Sequence, residues 1–394
     1  MLLLISVILE IIMPWKMLCL SSEENVAKAK AWFNQSVFID TEPYQDLDWV
    51  LGDDNVNPNV FVFLYQDNNA NQGFCILRKQ PRPLKMMLGE FALCRKKLTR
   101  YELWAGPLIH SDSADNEKMI LREFISLISD MLRKDETLSV EGLPLKSSFY
   151  QVINEQNPNL INLKLEASYM HQFIALPKSL DDYFKQMSKN SRKSVQYSQR
   201  KIRKDYNIEL FRCDCESSIQ RFLDDAISIS KKTYQWNLLN LGLRDRSSLK
   251  GTLHKWKSDN ALRSYILYCD GKPVSFMLGY IYNTCYYYID VGYDPDWAKY
   301  SVGSVLQIEV LEDLYNTTPP PKKFDFSTGY GEHKARFGNR EQEEINMLIF
   351  KNSLPNKIIA TSYVAINRLS ELLVDLLEKL GVKKQIKRLI RRIS

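Results

Sequence analysis

The sequence is short of everything that builds a metal or disulfide scaffold. Its seven cysteines, Cys19, Cys75, Cys94, Cys213, Cys215, Cys269 and Cys285, are odd in number and scattered, with no Cys-x-x-Cys pair and only four histidines to help them. The close Cys213-Asp-Cys215 spacing has no second pair to complete a zinc site, so no metal is expected. Such thiol usage suits a reducing cytoplasm. A long apolar run is also missing. The opening MLLLISVILEIIMPW is interrupted by Glu10, carries no positive charge before its apolar part, and falls short of the about 20 residues that span a bilayer. Residues 1–24 therefore stay open to three readings: an upstream start codon with the real start at Met13 or Met17, a membrane-docking segment, or a signal peptide. Acidic residues are wholly absent between Lys185 and Lys204.

What is present is a folded chain. At 394 residues, 45% hydrophobic and 11% aromatic, it has material for two ordinary domains and excludes collagen-like, disordered and disulfide-scaffold classes. Positive charge sits in two places, +8 over Lys185–Lys204 and +6 over Lys383–Arg392, against +6 for the whole chain, so everything else is net acidic. Two basic helices, rather than one broad nucleic-acid-binding face, follow from that distribution.

The stretch Cys285–Tyr315 organises the second half. CYYYIDVGY is strand chemistry, broken at Gly292 and Asp294-Pro295. Ser301 is placed as an N-cap, and Val305, Leu306, Ile308, Val310, Leu311, Leu314 and Tyr315 make a helix apolar on more than one side. Gly303 lies in its first turn, where free amides and the helix dipole favour an anion such as a pyrophosphate. Ser301, Val302, Gly303 and Ser304 are thus the candidate cofactor residues. Upstream, LRSYILYCDGKPVSFMLGYIYNTCYYYIDVGY reads as three strands joined at Asp270-Gly271 and Asn283-Thr284. Downstream, Lys323–Ser327 reads as a further strand.

In the first half, Val60–Tyr65, Gly73–Arg78, LKMMLGEFALC and YELWAGPLI read as strands before a helix over Asn116–Arg133 and a strand in TLSVEGLP. The element order echoes the second half and suggests two related lobes. Asp112, Asp115 and Glu117 at the first-half helix start would repel a pyrophosphate, which leaves that lobe without a coenzyme site.

A meander leading through strand, phosphate turn, helix and strand resembles the GNAT acyltransferase core. YSVGSVL at Tyr300–Leu306, FDFSTGYGEHKARFG at Phe324–Gly338 and KNSRKSVQYSQRKIRK at Lys189–Lys204 are similar to the hallmark segments of the CelD-like branch of that family, which is associated with polysaccharide, particularly cellulose, biosynthesis. Val302 stands where the branch often has Pro, and the fuller glycine-rich loop of typical members is missing. The resemblance implies an α/β (α+β) fold of tandem GNAT-like lobes with mixed sheets flanked by helices: residues 25–175, then 176–354 with the acyl-CoA site, then amphipathic basic helices over 355–394. It implies acetyl-CoA or another acyl-CoA as the acyl donor and an amine or hydroxyl, in particular on a sugar-linked precursor, as acceptor.

Acyl transfer needs a base for the acceptor, a polarised thioester carbonyl and a proton for the leaving thiolate. The candidates for the base rank Asp325, His333 and Asp290 in that order. Asp325, inside a strand, alternates with Phe324 and Phe326 and aims away from them. Tyr330 and Lys334 match the end of the family word, where a Tyr-Lys pair is usual; His333 stands immediately before Lys334 and displaces the Tyr, so the proton donor stays unassigned. Arg192 and Lys193 on the basic helix, together with Trp236 and Arg244 in the segment that the resemblance lays over the acceptor cleft, are expected to meet substrate, as is Lys334. A solvated basic helix and a core tryptophan are the plainer readings of the same residues. His254 reads as structural or surface.

The chain ends with Ile366, Leu369, Leu372, Leu373, Leu376, Leu377 and Leu380 at helical spacing. Ile386, Leu389, Ile390 and Ile393 follow, opposite six Lys/Arg. That pattern fits either a packing helix or a peripheral contact with an anionic membrane surface. An acyl-CoA-dependent N-acyltransferase is the leading expectation. A FemABX-like aminoacyl transferase using aminoacyl-tRNA on a cell-wall precursor, and a silent module that binds a polysaccharide synthase, are the alternatives.

Overall fold

The computed structural model describes residues 15–379 except 39–40, 53, 90, 156, 234–235, 237–241, 244–245 and 329–330. The expectations resting on Arg244, Tyr330, the opening apolar stretch and the basic tail from Lys383 lie outside the described residues. The chain divides into two units. One runs through Tyr169 and resumes at Glu343, and the other is Met170–Gln342. The division thus falls earlier than the expected boundaries at residues 176 and 355. The last strand and helix belong with the first unit.

In chain order the first unit begins with β1 (Trp15–Cys19), α1 (Glu23–Asn34), α2 (Leu47–Leu51), β2 (Val60–Gln66) and β3 (Gln72–Pro81). Two strands, β4 (Leu84–Leu88) and β5 (Phe91–Lys96), pair only with each other among the described residues. They stand apart from the meander in which LKMMLGEFALC was expected. Then come β6 (Thr99–Trp104), β7 (Leu108–His110), α3 (Ala114–Met131), β8 (Glu136–Pro144), α4 (Ser148–Asn154) and β9 (Leu160–Lys164). YELWAGPLI is cut in two because Ala105 and Gly106 take φ of 58° and 129°, which no continuous strand accommodates.

The second unit contains β10 (Tyr169–Ala175), α5 (Leu180–Gln186), α6 (Lys189–Asp205), β11 (Ile208–Cys213), α7 (Glu216–Lys232) and α8 (Arg246–Ser258). It continues with β12 (Ser264–Cys269), β13 (Lys272–Tyr282), β14 (Cys285–Tyr293), α9 (Val302–Tyr315), β15 (Lys323–Asp325) and α10 (Glu332–Phe337). The basic segment expected as one helix breaks at Met187. Ser188 then starts α6 by accepting the Ser191 amide on its hydroxyl. The chain closes with β16 (Arg340–Lys351) and α11 (Leu354–Lys379), and no described helix is long and apolar enough to cross a membrane.

Both units repeat one plan. In the second, β11, β12, β13 and β14 are successive antiparallel neighbours, β14 pairs β15 in parallel across α9, and β10 closes antiparallel on β15. In the first, β2 and β3 are antiparallel, β3 pairs β6, β6 pairs β8 in parallel across α3, and β16 closes antiparallel on β8. Asp270 and Gly271 both have positive φ and Asn283 a φ of 50°, so the two tight turns predicted between strands form where their residue types allow.

The core of the second unit explains why α9 is apolar on more than one side. Val302, Val305, Leu306, Ile308, Val310, Leu311 and Leu314 are all buried, packed with Tyr286, Tyr288, Phe324 and Phe326 from the sheet. The sheet itself is tight. A Cβ at Gly279 would lie 2.3 Å from the Tyr286 hydroxyl and 2.6 Å from the Tyr287 carbonyl oxygen, so only glycine fits that crossing.

Candidate functional site

Strand pairing opens a crevice in the second unit. β14 and β15 are in register only at Cys285 with Lys323, Tyr286 with Phe324 and Tyr287 with Asp325. Beyond that, β14 runs on to Tyr293 while the other strand has ended, so the two part at their carboxyl ends. Parallel strands that part this way, at the start of the helix joining them, make the usual ligand crevice of α/β sheets. β14 also carries a bulge here: Leu278 faces Asp290 and Gly279 faces Tyr288, which leaves Ile289 unpaired and exposed.

The turn into α9 is shaped by its backbone. Ser301 has φ 52° and its hydroxyl makes no cap, so the expected side-chain N-cap is replaced by a left-handed residue. The reason is visible in the preceding 3-10 turn, Pro295–Tyr300, which ends by bonding the Ser301 amide to Ala298 and leaves Ser301 to reverse the chain. Its carbonyl takes the amides of Ser304 and Val305 at 2.9 and 3.1 Å. Those of Val302 and Gly303 have no partner among the described residues. A Cβ on Gly303 would meet only the Tyr293 ring at 3.8 Å, so the turn is open on that side. Val302 is fully buried and contributes its amide, not its side chain.

Tyr288 and His333 meet near the point where these strands part, and Asp290 follows on the same strand beyond the bulge. Tyr288 and His333 share a hydrogen bond of 3.1 Å between the phenol oxygen and Nε2. Burial, with Asp290 nearby, drives the Tyr288 phenol far above its ordinary pKa, so it stays protonated. Burial, helped by the Lys334 charge, lowers His333 and keeps the imidazole neutral. Asp290 accepts only the Val291 amide, at 2.8 Å, among the described residues, and burial raises its carboxyl above the ordinary range. An acid held protonated and a carboxylate with raised basicity are the pair that proton transfer at neutral pH needs.

Asp325 is arranged differently. Its Oδ1 lies 2.8 Å from His171 Nε2 and accepts the Ser327 amide at 2.7 Å, and its Oδ2 lies 2.8 Å from Lys323 Nζ. Burial pushes the carboxyl up, but His171 and Lys323 outweigh it and bring it down to about 2. A carboxylate so acidic and so fully occupied is a poor base, which reverses the order in which Asp325 preceded Asp290. Lys334, expected toward substrate, is buried, with its ammonium on the carbonyls of Ser327 and Thr328 at 3.2 and 2.7 Å. Its pKa is lowered by burial, against the pull of Asp325. Asp325 and Lys334 together pin the turn after β15, in which Ser327 takes φ 60°.

The remaining candidates lie apart from these. Lys201, near the end of α6, donates to the Lys299 carbonyl at 3.1 Å, and Asp205 accepts from Tyr300 at 3.0 Å, so the carboxyl end of α6 adjoins the turn into α9. Arg192 and Lys193 sit eight or nine residues earlier, about 12 Å along the axis and away from that turn. Trp236 has its amide on the Thr233 hydroxyl at 3.3 Å, just past the end of α7. There Lys232 reaches buried Asp294, at the carboxyl end of β14, at 2.6 Å. The sequence reading missed Tyr288 and His171. Tyr288 gave little signal: its place two residues before Asp290 suggests a common face, but the bulge at Ile289 breaks that period. His171 had no local signal, because its partner is more than a hundred residues away.

Residues 189–335 match the family model described as Acetyltransferase (GNAT) domain, a span that falls inside the second unit. No curated protein matches the chain. Among solved structures, FemX is similar with a TM-score of 0.56 at 9% identity, over 87% of this chain and 99% of its own, a likeness of fold. Also similar are L-PGS from Bacillus licheniformis, TM-score 0.45 and 10% identity over 85% and 95% of the two chains, and a tandem GNAT protein from the clavulanic acid biosynthesis pathway, TM-score 0.42 and 8% identity over 86% and 98%.

Proposed function

We propose that the second unit, which carries this GNAT acetyltransferase-family domain, transfers an acyl group from acyl-CoA to an amine or hydroxyl held in the crevice between β14 and β15. The observation that carries the reading is the parting of those strands beyond Tyr287 and Asp325, with the open amides of Val302 and Gly303 at the start of the joining helix. In this reading the turn Ser301–Ser304 receives the coenzyme pyrophosphate. The acceptor nitrogen or oxygen attacks the thioester carbonyl carbon and its proton passes to Asp290. The carbon–sulfur bond then breaks, and Tyr288, hydrogen-bonded to His333, supplies a proton to the departing thiolate. Asp325 and Lys334 hold the turn that carries His333.

The finer reading follows from the CelD-like words: a sugar-linked precursor as acceptor, at the inner face of a membrane to which the basic tail from Lys383 holds the protein, with Arg192, Lys193, Trp236 and Arg244 on the acceptor side. The fold likeness to FemX across both units favours a second reading, FemABX-like aminoacyl transfer from aminoacyl-tRNA, in which α6 meets the RNA. Isothermal titration with acetyl-CoA, longer acyl-CoAs and aminoacyl-tRNA separates the two. Acyl-CoA binding in the parent and its loss in Gly303→Glu, with an unchanged circular dichroism spectrum, is the expected result. Equal affinity in parent and variant removes the coenzyme from this turn, and binding of aminoacyl-tRNA alone selects the second reading.

A further inference from the structure

The outer side of α6 carries a feature that acyl transfer does not use. The buried side of this helix is Val195, Ser198 and Ile202. Away from it, Gln196, Gln199, Arg200 and Arg203 line an open recess of about 370 Å³. Two guanidinium forks and two carboxamides are the donor set that recognises tetrahedral oxyanions. The wall is set in place by a carboxylate: Glu309 of α9 accepts from Arg203 at 2.6 Å and from Gln199 at 3.2 Å, so both side chains are oriented and the Glu309 charge is matched. Arg200 is exposed and, among the described residues, donates only through Nε, to the Gln196 carbonyl of its own helix at 3.3 Å. Its terminal nitrogens remain available. Lys201 and Lys204 flank it, and no acidic residue occurs on the helix before Asp205.

We propose that this recess is a phosphate-binding site, with Arg200 as its principal ligand and Gln196, Gln199 and Arg203 completing the donor set. Its ligand is a phosphate ester. Lys201, turned about 100° around the helix from Arg200, reaches the Lys299 carbonyl just before α9, so the helix that carries the recess also adjoins the proposed coenzyme turn. The 3′-phosphate of the coenzyme is therefore one source, an identification that rests on the acyl-CoA reading. A separate phosphorylated molecule or a lipid headgroup offers the same chemistry.

The test uses the full chain and Arg200→Gln, a change at an exposed side chain that leaves the Glu309 contacts untouched. Thermal unfolding in 20 mM inorganic phosphate is compared with chloride at equal ionic strength. A rise of a few degrees in the parent that is absent in Arg200→Gln supports the site. An equal rise in both proteins, or none in either, overturns it. Three further arms name the source. A roughly tenfold preference for coenzyme A over its 3′-dephospho form, lost in Arg200→Gln, assigns the coenzyme monoester. Arg200-dependent sedimentation with phosphatidylglycerol vesicles, and not with phosphatidylcholine, assigns a headgroup. A phosphate response with neither assigns a separate phosphorylated ligand. Because the first comparison contains no coenzyme, a failure to bind acyl-CoA defeats the proposed function and leaves the phosphate result standing.

Discussion

The Tyr288 phenol and His333 Nε2 stand 3.1 Å apart, joining a central strand to a short helix that follows the crevice. With the imidazole kept neutral and the phenol kept protonated, the phenol donates to Nε2 in the tautomer that carries the imidazole proton on Nδ1. In the proposed reaction, removing the hydroxyl removes the proton offered to the leaving thiolate. Tyr288→Phe should keep the ring in the core, retain coenzyme affinity within about twofold, and lower turnover by about a hundredfold or more, in the range a positioned acid contributes. Single-turnover rates with acyl-CoA read the effect, and an unchanged rate assigns the donor elsewhere.

Asp290, the base of the proposed reaction, also carries a cost to stability. Burial raises its folded-state pKa above an unfolded value near 3.9. Below that unfolded value both states are protonated and the residue costs nothing. As pH rises the unfolded carboxyl ionises first, which favours unfolding until the folded pKa is passed. Asp290→Asn should therefore gain in thermal midpoint over the parent at pH 8 relative to pH 4, while losing turnover. A gap between the two proteins that does not change with pH contradicts the raised pKa.

The two turns around β13 and the helix from Val302 were legible because each rests on local chemistry: Asp270, Gly271 and Asn283, which accept positive φ, and apolar residues on more than one side of the helix. LKMMLGEFALC was read as one strand of the meander and is two short strands that pair with each other, because its apolar run hides the reversal at Gly89, which takes φ 60°. The candidate carboxylates could be named from the sequence but not ranked. Asp325 and Asp290 are both strand carboxylates, and only the tertiary partners, His171 and Lys323 for one and a single backbone amide for the other, separate a fixed anion from a basic one.

The basic tail gives a prediction that is independent of the crevice. Six Lys/Arg between Lys383 and Arg392 alternate with Ile386, Leu389 and Ile390. Each cation near an anionic leaflet contributes about 1 kcal/mol. Deleting Lys383–Ser394 should leave the unfolding transition in place and abolish co-sedimentation with anionic vesicles at low salt. Equal sedimentation of the two proteins removes the tail from the contact.

Asp325 is expected to reveal itself in acid, and the sign follows from its depressed pKa. With a folded value of about 2 against an ordinary 3.8, the carboxylate stabilises the fold wherever the unfolded chain is also ionised, above about pH 4. As pH falls from about 4 to about 2 that contribution disappears, because the unfolded state takes up its proton first. The difference corresponds to about 2 kcal/mol at neutral pH. Asp325→Asn should therefore cost at least about that much at pH 7, where it also leaves His171 and Lys323 without their carboxylate, and much less near pH 2. Urea unfolding of both proteins at intervals from pH 2 to 7 measures the gap. A gap that persists undiminished at pH 2 shows that packing around Asp325, and not its charge, holds β10 to β15.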